Sequence, residues 1–199
     1  NAGYAATAWP PAPTRCANPG WNTASGAVGT GGSADSDASV IEAYTWETVG
    51  ACERVRVGFA TVEGAPAVTP PAVEIQFLRW AGIVRLEFAD NVAAAVIAEQ
   101  VVDTEMVDRV YTVTAVDGTI FVDLHLRNPA FVRAFTSSGP AAILVDIAAG
   151  GEEYPFPVSR TEGIVMIAPD PAAATYPLTV TGYTTRPGDD IEGVLRAPD

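Results

Sequence analysis

The chain has 199 residues, a net charge of −13 and 48% hydrophobic residues. That length holds one ordinary domain, alone or with a small second one, and can bury a core without metals or several disulfides. All 11 cations are arginine against 24 carboxylates, so no cationic footprint exists for a nucleic-acid backbone, and no apolar run reaches the roughly 20 residues of a membrane-spanning helix.

Residues 1–39 read as an extended arm rich in Pro, Gly and Ala. Pro10, Pro11, Pro13 and Pro19 extend its opening, and Gly26 to Ser39 carries almost only small residues. Such a composition cannot bury enough surface to order itself. Trp9 and Trp21 are its large apolar anchors, and Trp is costly to expose unless it docks. The first fifteen residues contain no apolar stretch of the roughly 7–15 residues that a signal core needs, so any secretory signal is expected to have been removed ahead of Asn1.

Residues 40–149 read as a β-sandwich. Val40–Val49 and Glu53–Phe59 form strands, the second alternating Val55, Val57 and Phe59 with Arg54, Arg56 and Gly58. A Pro/Ala loop spans 64–71. Residues 74–80 and 83–88 form a hairpin around Ala81-Gly82. For Asn91–Val102 the alanines predict a short helix or an irregular crossover, although Val92, Val96, Ile97 and Val101 are β-branched. Residues 107–115 and 119–126 predict a hairpin with a type I′ turn at Asp117-Gly118 and Val110 near Val122. Phe131–Phe135 reads as a helical turn, and 141–147 as another strand. At least seven strands in this stretch argue for an antiparallel sandwich.

Residues 150–199 begin at Gly150-Gly151 and hold three further strand-like runs, 164–168, 176–183 and 191–196. Three strands are too few to stand alone. They either complete the first domain or need outside partners. The predicted fold is therefore all-β: an antiparallel sandwich with an N-terminal arm and a short C-terminal β extension, or incomplete immunoglobulin-like module.

Chemistry-bearing patterns are sparse. His125, the one histidine, is expected on the outer polar face of its strand with Asp123 and Arg127, opposite Leu124 and Leu126. No G-x-S-x-G elbow accompanies it. Glu152-Glu153 and Asp189-Asp190 with Glu192 read as solvated turns; they lack the ligand spacing of a calcium loop. Tyr44, Trp46, Phe77, Trp80 and Phe88 read mainly as core filling, with Trp80 the most exposed and the alternative a sugar-stacking platform. No CxxC, His pair, phosphate loop or GxGxxG occurs, so no catalytic residue, metal or cofactor is expected. Cys16 and Cys52 suit a disulfide joining arm to core in an oxidising compartment, the alternative being two free thiols.

Cys16 and Trp21, followed by Glu47–Phe59 (ETVGACERVRVGF), resemble the opening of actinobacterial AMIN-like envelope proteins, and Ala141–Ile147 (AAILVDI) is similar to their closing strand, with Asp146 in the matching place. The likeness covers residues 16–147. Residues 164–195 resemble the first third of the immunoglobulin-like domain of bacterial spore-germination proteins. The resemblance implies a non-catalytic, periplasmic or extracellular module that binds the cell wall or an envelope complex. The expected partner is an envelope or membrane protein complex, with Trp9, Trp21 and Trp80 as contacts. Peptidoglycan or another glycan is the alternative ligand. A hydrolase is the remote third reading, because a chain this acidic offers carboxylate pairs.

Overall fold

The computed structural model describes residues 26–49, 52–88, 92–151, 153, 160–161, 164–168, 177 and 179–184. Fourteen strands run in chain order among them: β1 (Gly26–Gly31), β2 (Val40–Val49), β3 (Cys52–Ala60), β4 (Val73–Leu78), β5 (Ile83–Phe88), β6 (Ala94–Ala95), β7 (Glu99–Val101), β8 (Val107–Thr114), β9 (Ile120–Leu126), β10 (Ala130–Ser137), β11 (Ala142–Ala149), β12 (Arg160–Thr161), β13 (Ile164–Ala168) and β14 (Thr181–Thr184). A six-stranded sheet has the order β1-β4-β5-β9-β8-β7, and a five-stranded one β10-β11-β3-β2-β6. Every pairing but β2–β6 is antiparallel. The fold is the predicted all-β sandwich.

Period-two alternation builds the core. Phe77, Val84, Leu124 and Val110 stand opposite one another across β4, β5, β9 and β8. They face Val55, Val57 and Phe59 of β3 and Ile143, Val145 and Ile147 of β11, all in one buried cluster. Burying each such side chain stabilises the fold by about 1.5–3 kcal/mol. Individual side-chain contacts also tie the two sheets together. Phe59 meets Phe88 edge to face at 5.5 Å, and the Tyr44 hydroxyl bonds Thr112 Oγ1.

Several expectations change. Residues 26–31, read as arm, form the edge strand β1 against β4, and Ala38 is fully buried, so the sandwich starts before Val40. Of the helix or irregular crossover expected at 91–102, the described residues form the crossover and no helix: Ala94–Ala95 pair with β2 in one sheet and Glu99–Val101 with β8 in the other. Long-range strand partners override alanine's local helix preference there. Phe131–Phe135 lies within β10, because its alternation sends Val132 into the core and lets the strand pair with β11.

The β8–β9 hairpin forms, but Val110 stands opposite Leu124, and Val122 opposite Thr112. Its turn is not type I′, since Asp117 does not share the positive φ of Gly118, +90°. Ala115 and Thr119 close a three-residue connection, with Gly118 N–H donating to the Ala115 carbonyl at 2.9 Å. Nothing lies within 4 Å of a Cβ built at Gly118, so Gly118→Val meets only a backbone penalty. It is expected to cost roughly 1–3 kcal/mol in urea unfolding.

The tail supplies the third sheet, β12-β13-β14. It folds onto the outer face of the six-stranded sheet through a second small cluster of Leu78, Ala81, Ile83, Tyr111 and Val165. Among the described residues of the tail, β13 thus packs its inward side chains on the six-stranded sheet.

Candidate functional site

Strand register sets a row of side chains across the outer face of the six-stranded sheet. Gln76, Arg85, Asp123, Tyr111 and Glu99 stand opposite one another on β4, β5, β9, β8 and β7. Leu78, Ile83, His125, Arg109 and Val101 make the next row. Arg85 grips Asp123 with two bonds of 2.8 Å, Nε to Oδ1 and Nη2 to Oδ2, and stacks on Phe121 at 4.1 Å. Tyr111 meets His125 edge to face at 4.8 Å.

Tyr183 of β14 closes over this floor. Its hydroxyl lies 2.8 Å from His125 Nε2, and its ring is edge to face with Tyr111 at 5.5 Å and Phe121 at 6.0 Å. Beside it, Trp80 Nε1 donates to the Ile167 carbonyl at 2.9 Å.

His125 and Asp123 thus share the outer face, as the alternation implies, but both are 0% exposed. The surface histidine of the sequence reading is corrected: the tail sheet covers it. Burial pushes the Asp123 carboxyl up, opposed by bonding to Arg85 and Tyr183. Burial works against the Arg85 charge, yet its bonds to Asp123 outweigh that and raise its pKa. Burial, with the Asp123 carboxylate alongside, holds the Tyr183 hydroxyl far above the usual phenol range. The set reads chemically as a buried hydrogen-bonded fastening between sheet and tail.

A second polar row crosses the outer face of the five-stranded sheet: Arg133, Asp146, Arg54 and Glu47 on β10, β11, β3 and β2. Asp146 Oδ2 accepts from Arg54 Nη2 at 2.8 Å and from Arg133 Nη2 at 2.9 Å. Both guanidinium groups lie over the Phe135 ring, at 5.7 and 5.2 Å. Sequence reasoning missed this triad, although single charges inside apolar strands signalled that buried partners must exist.

A groove of about 460 Å³ opens at the β1 end of the six-stranded sheet, lined by Thr30, Glu74, Glu87, Phe88 and Thr119 among others. Glu74 and Glu87 stand opposite one another there.

No protein-family model, curated protein or solved structure matches the chain.

Of the residues named as partner contacts, Trp80 is half-buried, with its indole N–H engaged by β13; Trp9 and Trp21 lie outside the described residues. So does Cys16, while Cys52 heads β3 at 4% exposure. Tyr44, Phe77 and Phe88 belong to the main core and Trp46 packs against it, so these aromatics form no stacking platform. Among the described residues no three His, Cys, Asp or Glu side chains come together as metal ligands; the run 189–192 lies outside them.

The covered aromatics give an alkaline signature. Burial pushes the Tyr44 hydroxyl up to about 12, and raises Tyr111 and Tyr183 as well. A phenol raised in the fold keeps its stabilising contribution below its unfolded pKa, about 10, and loses it as pH climbs through the folded value. Ultraviolet titration is therefore expected to leave these three of the six tyrosines un-ionised at pH 10. They should ionise between pH 10 and 12 or above, together with unfolding.

Proposed function

We propose that this protein is a non-enzymatic, extracytoplasmic binding module: an accessory subunit, peripheral to the membrane, docked on the outer face of a membrane protein complex such as a respiratory or photosynthetic assembly. The observation that carries this reading is the outward face of the tail sheet. Alternation along β13 turns Val165 and Ile167 toward the sandwich and leaves Ile164 and Met166 38% and 48% exposed, with Val180 nearby at 55%. Exposed apolar side chains of this kind have the make-up of an interface centre. The AMIN-like resemblance supports the same compartment. Its two best-matching segments, β3 and β11, are sheet neighbours joined through Arg54 and Asp146.

Met166→p-benzoylphenylalanine, irradiated in native membranes, tests the reading. Crosslinking to a membrane-embedded polypeptide is the expected result. A chain that forms no such crosslink and sediments with isolated cell-wall sacculi would overturn it in favour of a glycan-binding module. The polar lining of the groove at Thr30, Glu74, Glu87 and Thr119 favours that second reading, since hydroxyls and carboxylates bond sugar hydroxyls.

An oxidised Cys16–Cys52 bridge belongs to the same proposal. Closing a loop of about 36 residues would stabilise the fold by roughly 3–4 kcal/mol through the unfolded chain's lost entropy. Intact mass is expected to rise by two hydrogens on reduction; an unchanged mass would remove the bridge.

A further inference from the structure

We infer that the outer face of the six-stranded sheet carries a recognition site for a tyrosyl side chain, occupied here by Tyr183, and that β13–β14 is a displaceable strap acting as its internal ligand. This does not depend on the docking reading.

The floor of the site is built without the strap. Arg85 and Asp123 fix each other across β5 and β9, and His125 is held edge to face by Tyr111. The Tyr183 ring enters among Tyr111, Phe121 and His125. Its hydroxyl reaches His125 Nε2 at 2.8 Å, and the nearby Asp123 carboxylate acts on it electrostatically. A phenol suits this floor because it donates and accepts through one atom. His125 is fully buried, so a plain benzene ring in the same place would take away the hydrogen-bond partner of its Nε2. A site built to bond a hydroxyl discriminates strongly against the analogue that lacks it.

The strap is separable from what it covers. Its apolar contacts fall in the small cluster around Val165, and among the described residues the main core contains no side chain of β13 or β14. Opening it therefore leaves the sandwich core intact, which is the condition for a local rather than global transition.

The full chain carrying Tyr183→Ala, probed with p-cresol and with toluene, tests the site. p-Cresol is expected to raise the variant's melting temperature and to bind roughly five- to tenfold tighter than toluene, the factor that one hydrogen bond to His125 Nε2 supplies. Neither compound should shift the wild-type chain. Absence of p-cresol binding, or equal binding of the two, would overturn the inference. Hydrogen exchange tests the strap even if that variant folds poorly. In the wild-type chain, β13 and β14 amides should exchange through openings that leave β9 and β11 protected, and Tyr183→Phe should speed strap exchange about tenfold without changing β11. Exchange of strap and sandwich only together would show that the strap is not displaceable.

Discussion

Asp146→Ala is expected to destabilise the sandwich by roughly 3–5 kcal/mol, the usual cost of removing one partner from a buried ion pair. The size follows from geometry. Asp146 and Arg54 each have side chains 2% exposed, and Arg133 8%. Without the carboxylate, two guanidinium groups remain on either side of position 146, both against Phe135, and lose the counter-charge they share. Against a total stability of about 5–15 kcal/mol, the loss approaches unfolding at ordinary temperature. Arg54→Met/Arg133→Met/Asp146→Leu should recover most of it, because matched apolar groups remove the desolvation cost with the attraction. Urea unfolding of the three chains decides this. A loss under about 1 kcal/mol for the single variant would mean that the triad is screened like a surface pair.

The sandwich was legible because its strands advertise two faces. Val55, Val57 and Phe59 alternate with Arg54, Arg56 and Gly58, and the core takes the first set. The β8–β9 hairpin was legible for the same reason, though the turn was misassigned: Asp-Gly indicates a tight reversal but does not distinguish two residues at positive φ from one. The helix reading of 91–102 failed because alanine content measures only local preference. What decides there is that β2 and β8 offer unpaired edges, a fact set by residues far away in sequence.

The site was less legible than the fold. Alternation placed Asp123 and His125 on one face correctly, but it cannot say what later covers that face. The covering residue, Tyr183, lies 58 positions beyond His125, in a tail that read equally well as needing a foreign partner. Trp80 was singled out for exposure beside a turn, and its indole instead holds β13. The Arg54–Asp146–Arg133 triad shows the same limit. Arg133 and Asp146 are single charges in their own strands and Arg54 one of several in β3, and only the register of three neighbouring strands brings them together.

Arg85→Ala is expected to cost roughly 3–4 kcal/mol at pH 7 and clearly less in acid. At neutral pH the substitution strips the fully buried Asp123 of its two-pronged partner, which places it among broken buried pairs. It also removes the contact with the Phe121 face, worth about 0.5–2 kcal/mol. The acid dependence follows from the direction of the Asp123 shift, already upward in the intact chain because burial outweighs Arg85 and Tyr183. Removing Arg85 raises it further. A carboxyl whose folded pKa lies above its unfolded value, about 3.9, binds more protons folded than unfolded. Its contribution to stability is full below the unfolded pKa and is lost as pH rises through the folded one. The variant's deficit should therefore be largest at pH 7 and shrink toward pH 4, where Asp123 is neutral in the variant and needs no cation. Unfolding free energies of both chains at the two pH values give the comparison. A deficit that is constant with pH would assign the loss to packing against Phe121 and would remove the buried charge pair as the tie beneath the strap.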